Sequence, residues 1–345
     1  MANRKPSIND IAKKLNVSKT AVSFILNGKA KEKRISDGLV DKVIREISKS
    51  GYQPNQFAQG LRTGRTNIIG LMVEDISNPF YASIAKLVEE KVYHNGYKIF
   101  YCSTENDPVR AKEFLTMFST LNVDGFIMAP TMGLEDDISR MVESGENIVL
   151  FDRKFDNKRI DSVMVDNSGG TYSAVSHLVD RGFKTVGMVA LALDDPEKED
   201  RITGYKQAIA KYGMTPYVFP LPFKVDHQEY VEDIRTILSE NSALDAVVFG
   251  TNYLGIAGLE AISQLKLSIP EDIAIISFDD HDLFRIHNPG VTVVAQPIEK
   301  IAQTVIDTLL NRLQDSSPTT KPTELITLST SIISRESSRC RVREK

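Results

Sequence analysis

Residues 7–27 read SINDIAKKLNVSKTAVSFILN, and their apolar spacing defines two short helices separated by a tight turn. Ser7 caps the first, with Asp10 three positions on in the spacing of a capping box, and Ile8, Ile11, Ala12 and Leu15 form its apolar face. Asn16-Val17 supplies the turn, and Ser18 caps a second helix that runs to about Leu26. A longer third helix is expected from Ser36 to Ser50, stopped by Gly51. Projected at about 100° per residue, Val22, Ile25 and Leu26 share one side of the second helix. Thr20, Ser23, Phe24 and Asn27 cluster on the opposite side, with Lys19 on the flank. A small polar face on the second of two such helices is how a helix-turn-helix presents its reading helix to the major groove. Phe24 needs cover, either from a nucleic-acid partner or from the third helix or the Gly28–Arg34 loop.

Charge is distributed unevenly around this segment. Residues 1–65 carry fourteen Lys or Arg against five Asp or Glu, a net +9; the other 280 residues carry 28 against 41, a net -13, for the chain's -4. A basic arm on an acidic body points to a polyanionic partner for the arm alone.

The chain has 345 residues, is 41% hydrophobic and 26% charged, and suits two or three domains. Its apolar runs, such as Ala274-Ile275-Ile276, fall far short of the roughly 20 residues of a membrane helix. The segment after Met1-Ala2-Asn3-Arg4-Lys5 is polar and periodic and lacks a signal-peptide core, so a cytoplasmic protein is expected. Cys102 and Cys340, the two cysteines, read as reduced thiols.

After the third helix come Tyr52-Gln53-Pro54-Asn55 and a short segment to Arg65 that contains Gly60 and has no core of its own. An isolated helix of this length is marginal in water, so the segment is expected to order only against a partner.

Ile11-Ala12, Val17-Ser18, Val22-Ser23, Asn27-Gly28 and then Tyr52, Pro54, Asn55, Ala58, Leu61 and Arg62 in order resemble the DNA-binding headpiece of the lac repressor family. That resemblance implies contacts to palindromic operator DNA by Ser18, Lys19, Thr20, Ser23, Phe24 and Asn27. It also implies a hinge helix over Asn55–Leu61 that folds on DNA, with Leu61 wedged into the minor groove and Asn55, Ala58 and Arg62 beside it. Lys19, Thr20 and Phe24 depart from the family's usual aromatic-polar pair and arginine, so its operator sequences do not carry over.

From Asn67 onward, short apolar runs alternate with helix-length amphipathic segments. Strands are expected at 68–73, 98–102, 125–129, 148–151 and 163–165, then at 185–190, 218–221, 246–250, 274–278 and 292–295. Near-continuous apolar strands separated by helices argue for parallel sheets covered on both faces, and two sets of strands argue for two similar lobes. The expected fold class is therefore an all-α helix-turn-helix headpiece plus an α/β two-lobed effector domain. By resemblance the body is periplasmic-binding-protein-like. The expected divisions are 1–54 headpiece, 55–66 hinge helix and linker, and 67–345 effector and dimerisation domain. Lobe 1 would take about 67–165 plus 296–324, and lobe 2 about 166–295 plus 325–340.

In open α/β sheets ligands sit beyond the carboxyl ends of the strands, so the polar residues just after each strand are the informative ones. Glu74-Asp75 and Asn78-Pro79-Phe80-Tyr81 follow the first strand, and Asp152-Arg153 the fourth. In the second lobe Arg201, Asn252, Asp279 and Gln296 hold comparable places. The family resemblance implies that Phe80 and Tyr81 line a cleft in which Asp152, Arg153, Arg201, Asn252, Asp279 and Gln296 grip hydroxyls, with Asp75 nearby. Singly, each also reads as a helix cap or an inter-lobe pair. Asp75, Asp152 and Asp279 against Arg153 and Arg201 sum to -1, which favours a neutral sugar over a phosphate dianion; a purine stacked on the aromatics is the other candidate.

Gly169-Gly170 reads as the start of a helix rather than a phosphate site, and no histidine spacing suggests a metal. No cofactor is expected, and nothing resembles a Ser/His/Asp set. The residues after Ser334 show no apolar heptad, so a homodimer built from the effector domains is expected. The reading is a sequence-specific transcriptional regulator switched by a small molecule. Its alternatives are an α/β sugar-binding protein and a sugar-processing enzyme, for neither of which a basic headpiece has a use.

Overall fold

The structure, a computed structural model, describes residues 6–52, 65–155, 159–192, 200–314 and 322–340. The chain divides into two compact units, residues 1–67 with 117–124 and residues 68–116 with 125–345.

The first unit begins with α1 (Ile8–Lys14), α2 (Lys19–Leu26) and α3 (Asp37–Ser50). Ser7 and Asp10 form a capping box at α1, and the Ser18 side chain accepts from the Ala21 amide at α2. Asn16, at φ 52, makes the turn between them, a left-handed conformation that asparagine tolerates. Ile11, Ala12, Val22, Ile25 and Val43 are the buried core, with Leu15, Leu26, Leu39 and Tyr52 packed around them. Gly51, at φ +67, ends α3 because the left-handed cap is cheapest for a residue without Cβ.

The second unit holds two six-stranded sheets of the same order. The first comprises β1 (Ile68–Val73), β2 (Lys98–Ser103), β3 (Gly125–Met128), β4 (Ile148–Phe151), β5 (Asp161–Val165) and β11 (Leu325–Leu328), ordered β11-β5-β4-β3-β1-β2 and parallel throughout. The second comprises β6 (Val186–Leu191), β7 (Tyr217–Leu221), β8 (Ala246–Phe249), β9 (Ala274–Phe278), β10 (Thr292–Ala295) and β12 (Ser331–Ile333), ordered β12-β10-β9-β8-β6-β7. Here only β12 runs antiparallel, beside β10.

Helices cover the sheets, which is why the strands carry continuous apolar runs. On the first sheet, Ile84 and Val88 of α4 (Pro79–His94) meet Ile301, Val305 and Leu309 of α12 (Ile298–Gln314) in one core, and α5 (Pro108–Thr120) and α6 (Glu135–Glu143) complete the set of helices between its strands. The second sheet has a core on each face. One contains Val175 of α7 (Asn167–Asp180) and Tyr205 of α8 (Asp200–Lys211). The other contains Ile234 of α9 (His227–Glu240), Leu254 of α10 (Asn252–Gln264) and Phe284 of α11 (Asp282–Ile286). Among the described residues, no helix is long and apolar enough to cross a membrane.

The sheets correct the expected lobe boundary. Leu325–Leu328 pairs with Ser162–Val165 in the first sheet, so the last crossing between lobes falls after Leu328 and not after residue 324. Both added strands, β11 and β12, are short edge strands with half-exposed residues, Leu325 at 59% and Ile333 at 38%, and they lack the continuous apolar run of a central strand. β5 also starts two residues earlier than expected. Asp161 is tolerated at a buried strand start because Arg312 donates to its carboxylate from Nε at 2.6 Å and Nη2 at 2.8 Å.

Candidate functional site

On α2, Lys19 and Thr20 are exposed, and Ser23, Phe24 and Asn27 are half-buried. The Asn27 amide folds back on its own helix and donates to the Ser23 carbonyl at 2.6 Å, which caps the C-terminus of α2. Phe24 stays outside the headpiece core, and the Lys33 ammonium lies 5.7 Å from its ring centroid. Loop cover of Phe24 thus comes from the 28–34 segment. Asn55, Ala58, Leu61 and Arg62 lie outside the described residues.

The second unit has a cleft of about 490 Å³ at the carboxyl ends of the strands, between the two lobes. Seven of the nine expected ligand residues line it: Phe80, Tyr81, Asp152, Arg153, Arg201, Asp279 and Gln296. Asp75 and Asn252 line an adjoining cavity of about 460 Å³ instead. A third cavity, of about 230 Å³, lies beside the Asp161–Arg312 pair at the amino ends of β4 and β5.

Asp152 and Asp279 occupy matching places in the two lobes, each directly after a strand, β4 or β9, that sits third in its sheet. Both adopt left-handed backbone, at φ 65 and φ 67, an arrangement sparsely populated outside glycine and concentrated at ligand sites. The Tyr81 hydroxyl donates to Asp152 Oδ2 at 2.7 Å. Burial, reinforced by the Asp152 charge, pushes the Tyr81 phenol up, so it remains a donor. Asp279 accepts from Gln296 Nε2 at 2.5 Å, and the nearby Asn252 backbone amide also favours its ionised form. Burial raises the Asp279 carboxyl above its ordinary value, against the lowering effects of Arg201 and Gln296. The Gln296 Oε1 atom is buried with no partner among the described residues, an acceptor that a bound hydroxyl would satisfy.

Arg201 is fixed before any ligand arrives. Its Nε donates to Asn167 Oδ1 at 2.9 Å, its Nη1 to the Gly250 carbonyl at 2.5 Å, and its guanidinium stacks 3.9 Å from the Phe278 ring centroid. Gly204 allows this placement, because a Cβ there would come within 2.0 Å of the Ser168 carbonyl oxygen where α7 and α8 cross. The Gly169-Gly170 pair starts α7, with Asp166 accepting from the Gly169 amide at 2.7 Å.

Three of the expected residues are also held by partners within the protein. The Arg153 guanidinium lines the cleft and donates to the buried Glu74 carboxylate and, at 2.6 Å, to Asn106 Oδ1. Burial alone would lower the Arg153 pKa, and Tyr81, Glu74 and Asp152 raise it by more, so the guanidinium stays charged. Asp75 accepts from the Ser77 amide at 2.8 Å and its hydroxyl at 2.6 Å, which shapes the turn before α4. Asn252 donates to Asn78 Oδ1 across the cleft at 2.9 Å and so ties one lobe to the other.

Glu74, Asn78, Asn167 and Tyr253 also line the cleft, although the expected site did not include them. Glu74 was recoverable by the same rule that singled out Asp75, as a charged residue directly after a buried strand. Asn167 and Tyr253 gave no separate signal beyond standing beside a helix start. With Glu74, Asp152, Asp200 and Asp279 against Arg153, Lys154 and Arg201, the cleft sums to -1 from a different set than expected. Among the described residues, no group of three or more His, Cys, Asp or Glu is placed to hold a metal ion.

A helix-turn-helix joined in one chain to a two-lobed domain with a polar inter-lobe cleft defines a ligand-switched DNA-binding regulator. Residues 7–55 match the model of bacterial regulatory proteins, lacI family, and residues 175–338 match that of a periplasmic binding protein-like domain. The HTH-type transcriptional regulator DegA of Bacillus subtilis (strain 168) is 30% identical over 303 residues, which span 86% of this chain and 88% of that protein. The sucrose operon repressor of Pediococcus pentosaceus is 29% identical over 329 residues, 93% of this chain and 98% of that protein. A solved LacI family transcriptional regulator from Enterococcus faecium with bound ribose superposes with a TM-score of 0.70 at 28% identity, covering 79% of this chain and 99% of that one. The chain belongs to the lacI family of bacterial regulatory proteins, and it is a DNA-binding transcriptional regulator whose second domain responds to a small molecule.

Proposed function

We propose that this regulator is a cytoplasmic repressor that binds a palindromic operator as a homodimer and is switched by a neutral sugar held between Asp152 and Asp279. Lys19, Thr20 and Phe24 face bases, and Ser18, Ser23 and Asn27 support them. Asn55, Ala58, Leu61 and Arg62 form the hinge that engages the operator centre. The observation that carries the sugar reading is the Asp279–Gln296 pair: a buried carboxylate already fixed by protein donors, beside a buried amide oxygen that still lacks one. A hydroxyl-rich ligand supplies donors to both, and the net -1 of the lining disfavours a phosphate dianion. Phe80 and Tyr81 give one apolar wall, with ring centroids 5.0 Å apart in an edge-on pair.

The relative named for sucrose and the structure holding ribose support this class of ligand. A purine would use fewer of the carboxylates. Within this reading the cleft binds its ligand without transforming it, and ligand acts by linkage between lobe closure and operator binding. The test is a thermal-shift screen of neutral sugars, sugar phosphates and purines on the full chain, since a cognate ligand stabilises by mass action. A neutral sugar should raise the melting temperature in wild type and fail to do so in Arg201→Ala. Stabilisation by a sugar phosphate or purine alone would refute the sugar reading.

A further inference from the structure

The adjoining cavity extends the cleft along the sheet order. The main cavity lies over the inner strands, with Asp152 after β4, Asp279 after β9 and Gln296 after β10. The second lies over the outer strands, with Asp75 after β1, Glu105 after β2 and Phe223 after β7. Glu74, Asn78 and Tyr253 line both, so the two voids meet at one shared wall. Tyr253 is a telling member of that wall. Its hydroxyl is buried beside the Thr251 side chain but forms no well-aligned hydrogen bond among the described residues, and its ring lies 5.7 Å from that of Tyr230. An unpaired buried hydroxyl is costly, and a ligand oxygen would satisfy it.

The acidic lining of the second cavity does not call for a cation. Glu74 is paired with Arg153, Glu105 with Arg110 at 2.6 Å, and Asp75 with the Ser77 hydroxyl and amide. Lys224 in turn is held by Asp233 at 2.5 Å. Glu74, Glu105 and Lys224 thus have ionic partners and Asp75 has hydrogen-bond donors only, so the lining repels an anion and suits a neutral, hydroxyl-rich group with one apolar face for Tyr230, Tyr253 and Phe223. Ligand pockets range over about 300–1,000 Å³, and each of these two, at about 490 and 460 Å³, reaches that range alone.

We propose that the effector is a two-ring saccharide, one ring held between Asp152 and Asp279 and the second in the cavity between the Tyr230–Tyr253 pair and the Asn78 turn. This rests on the sugar reading of the main cleft and adds the size and placement of the ligand. Calorimetry on the full chain tests it with glucose, fructose, maltose, cellobiose and sucrose as probes. One equivalent of a disaccharide should bind at least tenfold more tightly than its component monosaccharides. Ile256→Phe, which narrows the second cavity, and Phe223→Ala, which removes part of its apolar wall, should each weaken that disaccharide fivefold or more. They should move monosaccharide affinity less than twofold. The use of two variants covers the case in which overpacking by Ile256→Phe unfolds the domain. A monosaccharide that binds as tightly as the best disaccharide and is indifferent to both variants would overturn the two-ring proposal. If Arg201→Ala still abolished that binding, the main-cleft reading would stand. A second equivalent of monosaccharide would also overturn it, by showing two separate sites, and absence of binding by every sugar would overturn both readings.

Discussion

Asn78 Oδ1 accepts two hydrogen bonds at once, from the Phe80 amide of its own helix at 3.1 Å and from Asn252 Nδ2 of the opposite lobe at 2.9 Å. The N-cap of one helix therefore doubles as the latch between lobes. Asn252 is 2% exposed, and its own Oδ1 accepts from the Tyr253 amide, so its side chain is held on both sides.

Removal of this latch should weaken ligand binding more than folding. A net hydrogen bond is worth about 0.5–1.5 kcal/mol, so Asn252→Ala should lower effector affinity by roughly threefold to tenfold. Operator affinity without ligand should change less. Calorimetry of the stabilising sugar against the variant checks this; an unchanged affinity would remove the latch from the binding cycle.

Asp279 gives a pH signature. Burial raises its carboxyl in the folded chain above the ordinary 3.8, so over the window just above that value the native state holds more protons than the unfolded one. Stability contributed by this group is fully present below the ordinary value and is lost as pH rises through the raised one. Asp279→Asn should therefore raise the melting temperature at neutral pH and flatten its pH dependence in that window. The ligand needs the ionised form as acceptor, so its affinity should fall as pH drops through the same window, with proton release on binding.

His177 titrates in the opposite sense. Burial, and then Arg181, against the opposing charge of Asp180, lowers its pKa from 6.5 to about 4, and its Nε2 lies 2.8 Å from the Ser338 hydroxyl. The unfolded chain takes up its proton near pH 6.5 and the folded chain only near pH 4. Stability from this group is thus complete above pH 6.5 and drains away as pH falls to 4. A denaturation series across that window should show the loss, and His177→Gln should reduce its slope.

Phe24 decides what the reading helix recognises. With Lys33 over its ring and the headpiece core elsewhere, Phe24→Ala should cost little stability, under about 1 kcal/mol as for surface positions away from the core. It should change the preferred half-site in selection from random DNA. Unaltered selectivity would confine Phe24 to covering the 28–34 loop.

The parts that followed from local pattern were legible in the chain. Ser7, Asp10 and Ser18 announced the first two helices, and runs such as Ile148–Phe151 could only be buried strands. The strand-end rule and the family resemblance together named nine residues, seven of which line one cleft. What they could not resolve was pairing at long range. Arg153 and Glu74 are 79 residues apart, and nothing local says that one neutralises the other. Asp75 illustrates a smaller effect: successive side chains at a strand end point to different sides, so the buried Glu74 faces both cavities while Asp75 caps the turn and lines the adjoining cavity alone. The strand at Leu325–Leu328 was missed because an edge strand needs no continuous apolar run.

The central claim is that the cleft around Arg201 and Asp279 controls operator binding. Its most direct measurement is the affinity of the full-length protein for a self-selected operator, with and without the sugar found by thermal shift, in wild type and in Arg201→Ala. Allosteric coupling is typically about 5–150-fold, so wild type should change its operator affinity tenfold or more when the sugar is added. Arg201→Ala should bind the operator as wild type does without sugar and change less than twofold on its addition. A sugar response that persists at full size in Arg201→Ala would place the controlling site elsewhere and contradict the mechanism.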